Sequence, residues 1–142
     1  KDLGISNALM ADSLKGLAAQ RLIRKLCSSC ANEIQSPESK LEQEFTRTIG
    51  NMPKMRAQGC EACNNTGFKG RIPLLEILIV DEILADAIRS DASTKQLTEL
   101  AKQQGMRTLG ETAVEHILNG SATVEEAFRI LGKDLWGGDA SN

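Results

Sequence analysis

The four cysteines of this chain fall in two Cys-x-x-Cys pairs, Cys27 with Cys30 and Cys60 with Cys63. A two-residue gap lets both thiolates of a pair turn toward one metal ion, while backbone N–H groups of the turn point at the sulfurs. Two such knuckles complete a tetrahedral S4 site with Zn–S bonds of about 2.3 Å. Four protein ligands close the coordination sphere, which makes the site structural and leaves no position for water or substrate. The 29 residues between the pairs exceed the usual zinc-ribbon spacer. A metal can still close such a loop, because closure entropy grows slowly with length. Two disulfides would suit a secreted chain, but no export signal is visible. Redox-active pairs lack a thioredoxin-like setting here. Zinc is the favoured ion; iron in a rubredoxin-like site takes the same ligands and stays open.

No second constellation carries chemistry. There is no G-x-x-x-x-G-K-[ST] phosphate loop and no H-E-x-x-H. The single histidine, His116, stands on an expected helix without a nucleophile near it. The acidic residues are scattered along helix starts, where the macrodipole explains them. The composition agrees with an accessory role. The chain has 142 residues, 41% hydrophobic and only 3% aromatic, so its core must be built from Leu, Ile, Ala and Met. A net charge of −2 argues against nucleic acid as a partner, because counterion release needs a concentrated basic surface. No apolar run approaches the ~20 residues that span a bilayer. The longest, residues 72–80, is broken by Pro73 and Glu76. Lys1 is not an initiator, and the chain reads as a piece of a longer protein.

The elements that must hold the cysteines follow from local signals. Ser6 can cap a helix over 6–15, with Leu9, Met10 and Leu14 on its apolar side. Residues 17–26 are ambiguous between helix and strand. Their Arg21, Arg24 and Lys25 read as a solvated edge or as a phosphate or subunit contact. Ser36-Pro37 and Ser39 with Glu42 start a short helix over 37–46. Residues 50–59 are rich in turn formers. Residues 71–80 are the best strand, apolar on both faces and so expected inside a sheet. Glu76 in its middle needs a partner, with a nearby Arg the natural one. Asp81 caps a helix to about Arg89. Ser93 to Gln96, Thr108 to Glu111 and Thr123 to Glu126 are three capping boxes, ended by Gly105, Gly120 and Gly132. Each resulting helix has one apolar stripe.

Taken in order, AQRLIRKLCSSC, GCEACNNTGFKGRIPLLEILIVDE and QGMRTLGETAVEHILNGSATVEEAFRIL resemble the C-terminal part of the ATPases of type II secretion and type IV pilus assembly. The resemblance covers residues 3–132. Its most specific stretch runs from the second cysteine pair through Asn65-Thr66-Gly67-Phe68 and Gly70-Arg71 to Glu76 and Asp81. Ser28 stands where the family commonly has Pro, Phe68 where it often has Tyr, and Pro73-Leu74 where a small and a β-branched residue are usual.

The resemblance implies an α/β piece, mainly α. A β-hairpin forms the edge of a RecA-like motor core, carries an inserted tetracysteine zinc subdomain, and is followed by a small helical bundle. The implied divisions are 1–26 for the end of the core, 27–70 for the zinc insertion, 71–80 for the second hairpin strand, 81–135 for the helices and 136–142 for a disordered tail. The zinc ligands are then Cys27, Cys30, Cys60 and Cys63, and Arg21, Arg24, Arg71 and Glu76 are candidates for core or inter-subunit contacts. The implied partners are the upstream ATPase core, neighbouring subunits of a homohexamer, and the inner-membrane platform and assembly proteins of the machine. The implied location is cytoplasmic, peripheral to the inner membrane. ATP and Mg2+ belong to the parent P-loop ATPase, and this chain alone is not expected to hydrolyse ATP. The alternatives are a stand-alone zinc-ribbon interaction module and a chaperone-type cysteine-rich domain, the latter needing four repeats where two are present.

Overall fold

The computed structural model describes residues 4–136, and of the expected tail over 136–142 all but Trp136 lies outside them. One long hairpin organises the described residues. β1 (Gly16–Leu26) pairs antiparallel with β4 (Phe68–Ile79), from Gly16 opposite Ile79 to Leu26 opposite Phe68, with a register shift between Arg24 and Leu26. The ambiguous 17–26 segment is thus a strand. Between the two strands lie β2 (Asn32–Glu33), α2 (Lys40–Ile49) and β3 (Met55–Arg56), and β2 pairs with β3. The β3 pairing was not expected within the turn-rich 50–59 segment. After β4 come α3 (Glu82–Arg89), α4 (Thr94–Gln103), α5 (Leu109–Leu118) and α6 (Val124–Leu131), ending in a 3-10 turn over Gly132–Trp136. α1 (Asn7–Ser13) precedes the hairpin.

The capping residues set the helix starts. Ser39 and Glu42 form a capping box, so α2 begins at Lys40 and Pro37 stays outside it. Ser93 with Gln96 and Thr108 with Glu111 do the same for α4 and α5. The third expected box is only half made. Thr123 accepts the Glu126 N–H at 3.2 Å, but the Glu126 carboxylate is taken by two arginines instead of returning to the cap.

The main core joins the cysteine insertion to the C-terminal helices. Phe45 of α2, Ile23 and Leu74 of the hairpin, Ile117 of α5, Val124 of α6 and Leu135 are all at most 1% exposed. Trp136 belongs to this core and not to a tail: its ring lies 6.2 Å from Phe45 and 6.1 Å from Phe128. A second, smaller contact packs α1 on α3 through buried Ala11 and Leu84, with Arg89 bridging to Asp12 at 2.9 Å. Leu9, expected on the apolar side of α1, is 58% exposed; Ala11 takes the buried position.

The hairpin is covered on one face only. Residues directly opposed across an antiparallel pair share a face. Ile23 opposite Ile72, and Leu74 opposite Arg21, lie on the face that meets α5 and α6. Leu22, Leu75, Ile77 and Ile79 lie on the other face and remain 46%, 44%, 51% and 65% exposed. The expected double burial of this strand is therefore met on one side.

Candidate metal centre

The hairpin's cysteine end brings the two knuckles together. The Cys27 carbonyl accepts from the N–H groups of Cys30 and Ala31, and the Cys60 carbonyl from those of Cys63 and Asn65. The second turn needs unusual backbone, with Asn64 and Asn65 at φ 51° and 59°; Asn tolerates this left-handed region better than most residues. Gly67 follows at φ 77°, where a Cβ would lie 2.8 Å from that of Ala57. Only glycine fits there, and its N–H reaches the Cys63 sulfur at 3.2 Å.

All four sulfurs lie within 4.8 Å of one another. Three separations are 3.7 Å (Cys60–Cys63), 3.8 Å (Cys30–Cys63) and 4.0 Å (Cys27–Cys60), and none of the four is in a disulfide. A tetrahedron with Zn–S bonds of about 2.3 Å has edges of about 3.8 Å. The donor set and its dimensions therefore fit a four-thiolate ion. Burial pushes the Cys63 thiol up, but N–H bonds from Cys60 and Gly67 outweigh it and hold the thiol down to about 6. The Cys30 thiol is pushed up to about 12, by burial first and then by its sulfur neighbours.

The centre is stitched to the C-terminal helices. The Cys27 N–H donates to the Gly67 carbonyl at 2.9 Å, and the Leu26 N–H to the Ser121 carbonyl, also at 2.9 Å, in the α5–α6 loop. His116 bonds Ser121 through Nδ1 at 3.0 Å. The histidine thus helps to hold the C-terminal end of α5.

The candidate contact residues have separate fates. Arg24 is engaged within the chain: its Nε and Nη2 donate to Glu126 Oε2 at 3.0 and 2.7 Å, and its guanidinium lies 4.1 Å from the Phe68 ring centre. Arg129 grips the same carboxylate at 2.9 and 2.7 Å. Burial raises the Glu126 carboxyl, but the hydrogen bonds from Arg129 and Arg24 prevail and hold it down to about 2. Arg56 clamps the buried Glu42 in the same way, at 2.9 and 2.6 Å. Glu76 does not take an arginine partner. It accepts the Leu109 N–H at 3.1 Å, at the start of α5, where the helix dipole favours an anion. Arg21 is exposed and donates to the Gln20 carbonyl at 3.0 Å, and Arg71 is exposed. A cleft of about 300 Å³ is lined by Arg24, Arg56, Phe68, Thr123 and Arg129. All three guanidiniums are already paired with carboxylates, so the cleft is not an anion site.

Sequence reasoning missed both buried carboxylates. The only available signal was Glu126 and Glu42 at helix position N3 with arginines in reach, and it was read as capping alone.

No helix among the described residues is long and apolar enough to cross a membrane. The sequence profile of the family described as type II/IV secretion system protein matches residues 1–129. The chain belongs to that family. Among curated relatives, the type II secretion system protein HxcR of Pseudomonas aeruginosa is 33% identical over 129 residues, covering 91% of this chain and 24% of the relative. The type IV pilus assembly ATPase PilB of Thermus thermophilus is 32% identical over 129 residues, covering 89% and 14%. The type IV pilus assembly ATPase TfpB of Acinetobacter baylyi is 35% identical over 135 residues, covering 92% and 23%. The chain therefore spans no more than a quarter of the length of these relatives.

Proposed function

We propose that this chain is the C-terminal, non-catalytic part of a hexameric cytoplasmic ATPase that powers type II secretion or type IV pilus assembly, stapled by one zinc ion on Cys27, Cys30, Cys60 and Cys63. The observation that carries the reading is the bare hairpin face. Leu22, Leu75, Ile77 and Ile79 form an apolar strip that nothing in the described residues covers, in a chain that spans a fraction of its relatives. Exposed apolar surface of this kind marks an interface. The rest of the polypeptide, bearing the phosphate loop with ATP and Mg2+, packs on that face and makes the hairpin the edge of a RecA-like sheet. Neighbouring subunits and the inner-membrane platform then meet the zinc insertion and the free cations Arg21 and Arg71. The stand-alone zinc-ribbon reading is not favoured, because Phe45 of the insertion shares its core with α5 and α6.

The role is mechanical. Zinc holds the insertion stiff, so that a nucleotide-driven rotation of the motor core is transmitted to the platform and not absorbed by a loose loop. The test is Cys63→Ser in the whole protein. It should leave nucleotide affinity unchanged and reduce secretion or piliation at least tenfold. Normal secretion or piliation from a metal-free variant counts against the clamp.

A further inference from the structure

The turn between α5 and α6 carries a reactive pair that the fold itself requires. Asn119 is the C-cap of α5, at φ −81° and ψ −8°, and Gly120 follows at φ 84°. A side chain at 120 would be strained at that φ and would meet Met55 Cγ at 2.7 Å, so the turn holds glycine. Among the described residues Asn119 is the only asparagine followed by glycine, and it is exposed to water. With no Cβ on Gly120, its amide nitrogen can approach the Asn119 side-chain carbon unhindered once the backbone turns. The closed turn keeps those two atoms from reacting. Ring closure needs the Gly120 nitrogen to swing into line with Asn119 Cβ, and at ψ −8° it stands well away from it. The Gly120 N–H is tied to the Ile117 carbonyl at 3.2 Å. Asn119 Oδ1 accepts the Ser121 N–H at 3.0 Å and the Ser121 hydroxyl, which fixes the side chain. Opening of the last turn of α5 removes all these restraints at once.

We infer that Asn119 is a deamidation site, protected by the closed α5–α6 turn and exposed by local unfolding. The Gly120 amide nitrogen loses its proton to hydroxide and attacks Asn119 Cγ. A C–N bond forms, the side-chain nitrogen takes up a proton and leaves as ammonia, and a five-membered succinimide remains. Water then adds to one of the two ring carbonyls and breaks its bond to nitrogen. Attack at Cγ gives aspartate; attack at the main-chain carbonyl gives isoaspartate, with the backbone routed through the side chain. The net change is gain of water and loss of ammonia, with no redox step. The turn is a sensitive place for this product. The Ser121 carbonyl accepts the Leu26 N–H at 2.9 Å, and the Ser121 hydroxyl meets His116 Nδ1 at 3.0 Å. Isoaspartate adds one carbon to the main chain two residues earlier, so both bonds cannot be remade in place. The reaction is a one-way record of time the turn has been open, and it is independent of the metal reading.

The test incubates the 142-residue chain at mildly alkaline pH, with and without denaturing urea, Trp136 emission reporting that the sample without urea is folded. Peptide mapping by mass spectrometry locates the modified asparagine, and methyltransferase labelling identifies isoaspartate. In urea Asn119 should react at least fivefold faster than any other asparagine and give more isoaspartate than aspartate. Without urea its rate should fall at least tenfold. Equal rates in the two samples, or another asparagine reacting first in urea, overturns the proposal. The isoaspartate chain is then purified and returned to native buffer beside Asn119→Asp, which keeps the acceptor oxygens and the backbone length. Relative to the parent chain, its urea midpoint should be lowered at least twice as far as that of Asn119→Asp. Failure of the isoaspartate chain alone to refold is the extreme of that result. Equal midpoints for the two products overturn the claim that the turn cannot close again.

Discussion

The two ends of the β1–β4 hairpin are built from similar residues and held very differently. At the cysteine end, Ile23, Ile72 and Leu74 are at most 9% exposed, and β1 is tied to α6 through the Arg24 N–H on Glu126 and to the α5–α6 loop through the Leu26 N–H on the Ser121 carbonyl. At the other end, Ile77 and Ile79 are more than half exposed, and Leu17 on the opposite face is 55% exposed. An alternating or continuous apolar pattern tells which residues require cover. It does not tell whether the cover lies in the same stretch of chain. The core face of the cysteine end is covered within the described residues, while the far end leaves apolar side chains bare on both faces.

Removing the metal is the strongest way to break this comparison. Apparent binding energies of structural zinc run to about 10–16 kcal/mol in small domains and are also folding energy. Chelation should unfold residues 27–70 and release Trp136, the only tryptophan, from Phe45. Its emission should move to longer wavelength, while the α1–α3 contact persists. Unchanged emission in the metal-free chain would show that the cysteine end is complete without its ion.

Phe45→Ala comes next. It opens a cavity at a fully buried site where α2 meets α5 and α6, with an expected loss of about 3–5 kcal/mol in urea unfolding. A loss under 1 kcal/mol would mean that the insertion is not part of the core.

Glu126→Gln removes the charge that Arg24 and Arg129 share, with an expected cost of about 1.5–3 kcal/mol. The sign of its pH dependence is fixed. The folded carboxyl sits at about 2 against an ordinary 4.5, so its stabilisation is full above 4.5 and is lost as pH falls toward 2. The stability gap between the parent chain and Glu126→Gln should therefore be constant from pH 7 to 5 and narrow below 4.5. A gap that widens in acid would contradict the ion cluster.

The smallest effect sharpens the contrast most. Ile77→Ser, at a side chain already 51% exposed, should change the stability of this chain by less than about 0.5 kcal/mol. In the whole protein the same substitution should cost about 2 kcal/mol or more, because the site is then covered. Equal effects in both settings would remove the argument for a docked core.

How much was legible in the sequence follows from how local each signal is. The helix starts at Ser39, Ser93 and Thr108 were readable, because a cap and its N3 partner lie three residues apart. The four thiols were readable because Cys-x-x-Cys is a self-contained turn. The Glu126 cluster was not, because Arg24 lies 102 residues away and Glu126 also satisfied a capping pattern. Glu76 was seen to need a partner, but a backbone N–H at a helix start leaves no residue-type signature. The β2–β3 pair was missed because two-residue strands carry no periodicity. The placement of Trp136 depended on Phe45 and Phe128, which no sequence spacing connects.

The chain between β1 and β4 is 41 residues long, 27 to 67, so the hairpin cannot zip from a tight turn. Its first strand contact must close a long loop, and such non-local pairings slow folding. The two knuckles sit at the mouth of that loop, Cys27 next to the end of β1 and Cys63 just before β4. An ion captured by the four thiols would bring the strand ends together and leave only a short closure to complete. If the four thiols hold the proposed zinc, a chain made under zinc starvation should find its hairpin register more slowly and linger with both strand edges open to aggregation.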